Sequence, residues 1–139
     1  MAYHGLNCAI LADRHSSLSE GIRGLLETTF NTVYIVGDTL SLKEGARRLS
    51  PALIVLDISL LGNDSSSLLK EVRELSPESR VMVLSVHDQA SVARKVLASG
   101  AQSVVLKRCI SSDFLTAISA VLRGEEFVSS DFNLNSQVH

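Results

Sequence analysis

Five short apolar runs recur along the chain with amphipathic stretches between them, and this alternation leaves few folds open. The runs are CAILA (8 to 12), TVYIV (32 to 36), LIVL (53 to 56), VMVLS (81 to 85) and SVVL (103 to 106), mostly rich in β-branched side chains. They read as buried strands. Between them Leu18, Ile22, Leu25 and Leu26 recur at helical spacing, as do Leu68, Leu69, Val72 and Leu75, and later Phe114, Leu115, Ile118, Val121 and Leu122. Two weaker helical segments fall at roughly 41 to 49 and 89 to 98, the latter with Val92 and Val96 one turn apart. Ser112 and Asp113 ahead of Phe114, with Gly124 beyond, supply start and stop signals for the last helix. Continuous apolar strands separated by helices predict an α/β fold, a five-stranded parallel sheet covered on both faces.

A chain of 139 residues builds one well-packed core and is too short for two ordinary domains. The domain is expected over 1 to 130, with 131 to 139 a tail or the start of a linker. A hydrophobic fraction of 45% with 20% charged residues fits a soluble globular protein. No apolar stretch approaches the roughly 20 residues needed to span a bilayer, so no membrane partner is expected. The opening MAYHGLN carries no export signal, and a cytoplasmic location is expected. A net charge of −2 gives no electrostatic reason for this chain itself to bind nucleic acid. Basic pairs such as Arg47 with Arg48 and Lys107 with Arg108 are usually solvated and do not by themselves predict a phosphate-binding patch. Cys8 and Cys109 belong near opposite ends of the sheet, too far apart for a disulfide. His4 and His139 show no metal-ligand spacing.

Right-handed crossovers leave all strand C-termini on one edge of such a sheet, where ligands bind. The residues that close the runs are chemically selective. Asp57 ends the third, Ser85 the fourth, Lys107 follows the fifth, and Asp13 and Arg14 follow the first. Carboxylates, a hydroxyl and cations converging on one edge describe a phosphoryl-accepting pocket, because a transferring phosphoryl group spreads negative charge that fixed donors and cations stabilise. Arg14 disturbs the pattern. It reads either as a solvated side chain at a helix entrance or as a built-in cation paired with Asp57 or Asp13, and reach favours the pairing. His15 is expected to pack or hydrogen-bond locally, and His87 to be an exposed loop histidine near the pocket rim.

From about residue 7 to 130 the chain resembles a response-regulator receiver domain, most closely receivers that precede a LuxR-type helix-turn-helix. Where those commonly read ADDHPLFREGLR, this chain has ADRHSSLSEGIR (12 to 23); where they read PDVVLMDISMPGMDG, it has PALIVLDISLLGNDS (51 to 65). VLSVHD (83 to 88), SGAQSVVLK (99 to 107) and AVLRGEEFVS (120 to 129) are also similar to family segments. The resemblance implies a flavodoxin-like (βα)5 fold with strand order 2-1-3-4-5. It also implies Asp57 as phosphoacceptor, Ser85 as the hydroxyl bonding a phosphoryl oxygen, and Lys107 as the neutralising lysine.

The resemblance further implies a magnesium site made by Asp13, Asp57 and the backbone carbonyl of Ser59. Arg14 stands where a direct acidic ligand is usual. Guanidinium offers no lone pair and repels a dication, so Mg2+ affinity is expected to be much reduced. Val104 replaces the aromatic usually found three residues before the lysine, Leu61 a proline and Ser65 a glycine. The implied function is a phosphorylatable switch, at most modifying itself at Asp57 and not an enzyme in the ordinary sense. The implied partners are a sensor histidine kinase at the first helix (Ser16, Ser17, Leu18, Ser19, Ile22) and a second receiver through the last helix. DNA would be reached only through an output domain absent from this chain. The alternative is an atypical receiver that works without phosphorylation as a dimerisation or docking module. A flavin or nucleotide binder would need a glycine-rich first loop, and DRHSS (13 to 17) contains none.

Overall fold

The computed structural model describes residues 8–15, 19–62 and 64–132. Its elements are β1 (Cys8–Ala12), α1 (Ser19–Leu26), β2 (Thr32–Val36), α2 (Thr39–Leu49), β3 (Leu53–Asp57), α3 (Ser65–Leu75), β4 (Arg80–Ser85), α4 (Ala90–Ala98), β5 (Ser103–Leu106), α5 (Ile110–Leu122) and β6 (Phe127–Val128). Single 3-10 turns, Ile58–Leu60 and Lys107–Cys109, follow β3 and β5.

All strands are parallel in the order β2-β1-β3-β4-β5-β6. Strand alternation sorts the core into two layers. Ile10, Ile54, Leu56, Val81, Val83 and Val104 meet Leu42 and Ala46 of α2, Leu69 and Val72 of α3, and Ala93 and Val96 of α4. Ala9, Leu11, Leu53, Val55, Met82 and Val105 meet Ile22 and Leu26 of α1 and Phe114, Ile118 and Val121 of α5. Helices on both faces explain why β1, β3 and β5 are apolar at nearly every position.

Four expectations need correction. The sheet has six strands, not five: Gly124 at φ +86 ends α5, and the returning chain lays Phe127 beside Ser103 and Val128 beside Val104. Two residues are too few to show a period. The run TVYIV is an edge strand in which Val33 alone is buried and Tyr34 is exposed. The α2 helix begins before residue 41, because the Asp38 side chain caps it by accepting from the Ser41 amide at 2.7 Å. And α5 starts at Ile110, ahead of Ser112 and Asp113, because the turn Lys107–Cys109 leads straight into it; Leu115 on this helix is exposed.

Cys8 and Cys109 are both free thiols. Ser19 and Ile22 are buried, while Ser16, Ser17 and Leu18 lie outside the described residues, as do His4 and His139. Phe132 is buried against the α2–α4 layer, so packing continues to the end of the described chain.

Candidate functional site

Four of the five residues singled out by chemistry stand at or next to the carboxyl ends of adjacent central strands. Asp13 follows β1, held by its amide donating to the Val36 carbonyl at 3.0 Å. Asp57 is the last residue of β3, Ser85 the last of β4, and Lys107 the first beyond β5.

Asp13, Asp57 and Lys107 come together. The Lys107 ammonium lies 2.5 Å from Asp57 Oδ1 and 3.8 Å from Asp13 Oδ2, with the lysine side chain only 15% exposed and both carboxylates buried. Each carboxylate uses its other oxygen locally. Asp13 Oδ1 accepts from the His15 amide at 2.9 Å. Asp57 Oδ2 accepts from the Ser59 amide at 3.0 Å and from the Ser59 hydroxyl. The other oxygens, Asp57 Oδ1 and Asp13 Oδ2, face the Lys107 ammonium. Burial by itself would raise the Asp57 carboxyl; Lys107 and the Ser59 hydroxyl and amide together outweigh it and hold the group below its ordinary value.

Ser85 shares the edge but not the cluster. Its buried hydroxyl donates to the His87 carbonyl at 2.8 Å and accepts from the His87 amide at 2.9 Å, closing a small loop on itself. Arg14 is exposed and forms no ion pair among the described residues, contrary to the expected pairing with Asp57 or Asp13. The reason is local: Asp13 turns inward to cap the His15 amide, its neighbour projects to solvent, and Lys107 already supplies the internal cation.

Asp57 and Lys107 open into a cleft of about 430 Å³, also lined by His15, Ile58, Ser59, Gly62, Val86 and His87. Both histidines are exposed rim residues. The Ser59 hydroxyl was missed by sequence reasoning, which assigned only its carbonyl. The spacing of Asp57 and Ser59 is that of an aspartate closing a tight turn onto the amide two residues on, and this signal could have found it.

A hard dication takes oxygen donors, and the two buried oxygens that face the ammonium, Asp13 Oδ2 and Asp57 Oδ1, are donors of the right kind. Among the described residues, no group of three or more His, Cys, Asp or Glu side chains could hold a metal. The two carboxylates supply oxygen donors of the kind magnesium takes, but the Lys107 ammonium faces both of them and competes for the same charge.

Fold and pocket together define an α/β protein built around a buried acidic pair with one internal cation at the carboxyl edge of a parallel sheet. A family model, the response regulator receiver domain, matches residues 9–119, and the chain belongs to that family. It is 29% identical over 124 residues to the Fimbriae Z protein of Salmonella typhimurium, covering 88% of this chain and 59% of that protein. It is 29% identical over 123 residues to the nitrate/nitrite response regulator protein NarL of Escherichia coli, covering 86% and 56%. The chain thus spans less than two thirds of the length of these curated relatives. Among solved structures, a LuxR-family two-component response regulator from Aurantimonas sp. shares the fold with a TM-score of 0.83 at 23% identity, covering 94% of this chain and 96% of that one. No helix among the described residues is long and apolar enough to cross a membrane.

Proposed function

We propose that this chain is the signal-receiving part of a two-component transcription regulator, in which Asp57 accepts a phosphoryl group. The observation that carries this reading is the buried Asp57 carboxylate at the mouth of a cleft with the Lys107 ammonium 2.5 Å from one oxygen. The donor would be the phosphohistidine of a sensor histidine kinase or a small phosphodonor. A carboxylate oxygen of Asp57 attacks phosphorus and forms the O–P bond, the P–N bond of a phosphohistidine protonated on its other ring nitrogen breaks, and the histidine leaves as neutral imidazole. The depressed Asp57 pKa keeps the nucleophile ionised. Lys107 faces the charge that develops on the phosphoryl oxygens, in a pocket where water screens it little.

Asp13, Asp57 and the Ser59 carbonyl would hold magnesium, which when bound would supply further neutralisation of phosphoryl charge. The charge balance predicts weak binding, since Arg14 adds a cation where an acid would add a ligand.

A phosphoryl oxygen offers the Ser85 hydroxyl an acceptor in place of the His87 carbonyl. Val86, His87, Asp88 and Gln89 form the loop between β4 and α4, so this exchange would change the packing of that loop and shift the populations of two surface arrangements. A second receiver would read that surface, and DNA would be contacted by an output domain outside this chain. A cytoplasmic setting goes with a kinase partner.

Incubation with acetyl phosphate across millimolar magnesium, read by intact mass, tests the proposal. One added phosphoryl group in the native chain and none in Asp57→Asn is the expected result. Inertness of the native chain, or equal modification of the variant, would overturn it.

A further inference from the structure

The residue before Lys107 is hydrogen-bonded to a segment far from it in sequence. Its neighbour Leu106 ends β5, and the Leu106 amide donates to Ser129 Oγ at 3.1 Å. Ser129 follows β6, and its own amide donates to the Val104 carbonyl at 3.0 Å. In a continuing parallel ladder the next acceptor for Leu106 would be a backbone carbonyl of β6. The chain turns away at Ser129 instead, and the hydroxyl stands in for that carbonyl.

The hydroxyl is itself oriented. Ser129 Oγ donates to Asp113 Oδ2 of α5 at 2.8 Å, and the other Asp113 oxygen accepts from the Ser112 hydroxyl at 3.1 Å. Ser129 is fully buried, so water does not replace these bonds. The junction joins β5, α5 and the end of β6 at the point where the backbone leaves the strand and begins the turn that carries Lys107.

We propose that Ser129 is a positioning residue for Lys107: its hydroxyl fixes the last amide of β5, and so the direction in which the lysine enters the pocket beside Asp57. Ser129 also begins the stretch that leads through the buried Phe132 to the end of the described chain. The functional meaning of the inference rests on the phosphoryl-accepting reading, whereas the placement of Lys107 does not.

The test follows lysine acylation by a small amine-reactive ester, quantified site by site by peptide mass spectrometry in the native chain, Ser129→Ala, Ser129→Thr and Asp113→Ala. Lys43, Lys70 and Lys95 serve as internal references. The expected result is a several-fold faster labelling of Lys107 in Ser129→Ala and Asp113→Ala, with the reference lysines unchanged and Ser129→Thr close to native. Unchanged Lys107 labelling in both alanine variants, or an equal rise at every lysine, would overturn the proposal. Because this readout needs no phosphoryl transfer, its failure is distinct from failure of Asp57 to accept the group.

Discussion

Lys107 reaches 2.5 Å from Asp57 Oδ1 while Ser59 holds Oδ2, so both oxygens of one buried carboxylate are engaged from opposite sides. Lys107 and Ser59 together give this carboxylate a low proton affinity despite its burial.

That low proton affinity has a pH signature. The folded-state pKa of Asp57 lies below its unfolded value, so the stability it contributes is complete above the ordinary carboxylate range and is lost as pH falls through the depressed folded value. Ser59→Ala removes one of the lowering donors. The Asp57 midpoint in carbon NMR should rise toward the ordinary range, and this contribution should fade at a higher pH than in the native chain. A midpoint that stays put would show that Lys107 and the Ser59 amide suffice.

Arg14→Asp should strengthen magnesium binding. Arg14 is exposed and engages no carboxylate among the described residues, so replacing it breaks no described contact while it exchanges a repelling charge for an oxygen ligand beside Asp13. A gain of about tenfold or more in affinity, roughly 1.4 kcal/mol, is expected by titration calorimetry. Equal affinities would mean that the position does not face the metal.

Ser103 is fully buried in β5 and its hydroxyl has no hydrogen-bond partner among the described residues. Ser103→Ala removes a desolvated polar group at little change in volume. The variant should gain about 1 kcal/mol and roughly 3 °C in Tm. A loss of stability in calorimetry would show that the hydroxyl has a partner after all.

Gly100 has φ +118, and a β-carbon there would come within 2.5 Å of Arg73 Cδ. Arg73 also donates to the Gly100 carbonyl at 2.7 Å. Gly100→Ala should therefore cost about 2 kcal/mol or more through backbone strain and displacement of Arg73. Urea unfolding measures this directly, and a neutral result would contradict the glycine's assigned conformation.

Much of this architecture was legible in the residues. Runs such as LIVL and SVVL identified buried strands because both faces of a parallel sheet are covered, and Leu68, Leu69 and Val72 marked α3 because helical spacing brings them onto one face. Asp13, Asp57 and Lys107 could be placed at one edge from connectivity alone, since right-handed crossovers put every strand C-terminus there.

The short elements and the partners of individual groups were not legible. The pair Phe127 and Val128 has no period to read, and only the parallel register beside Ser103 and Val104 makes it a strand. Arg14 looked able to reach Asp57, yet which cation fills a buried space depends on which side chain the backbone turns inward, and that is Lys107. The residue order by itself determined the sheet, its helical layers and the edge on which the polar groups gather, because periodicity and chain handedness are local properties. Only the tertiary structure decided that Ser59 ties down Asp57, that Ser85 closes on His87 and that Ser129 braces the end of β5. The first two close over two residues, and spacing permits them without requiring them; the Ser129 bonds join segments far apart in the chain, which spacing does not specify.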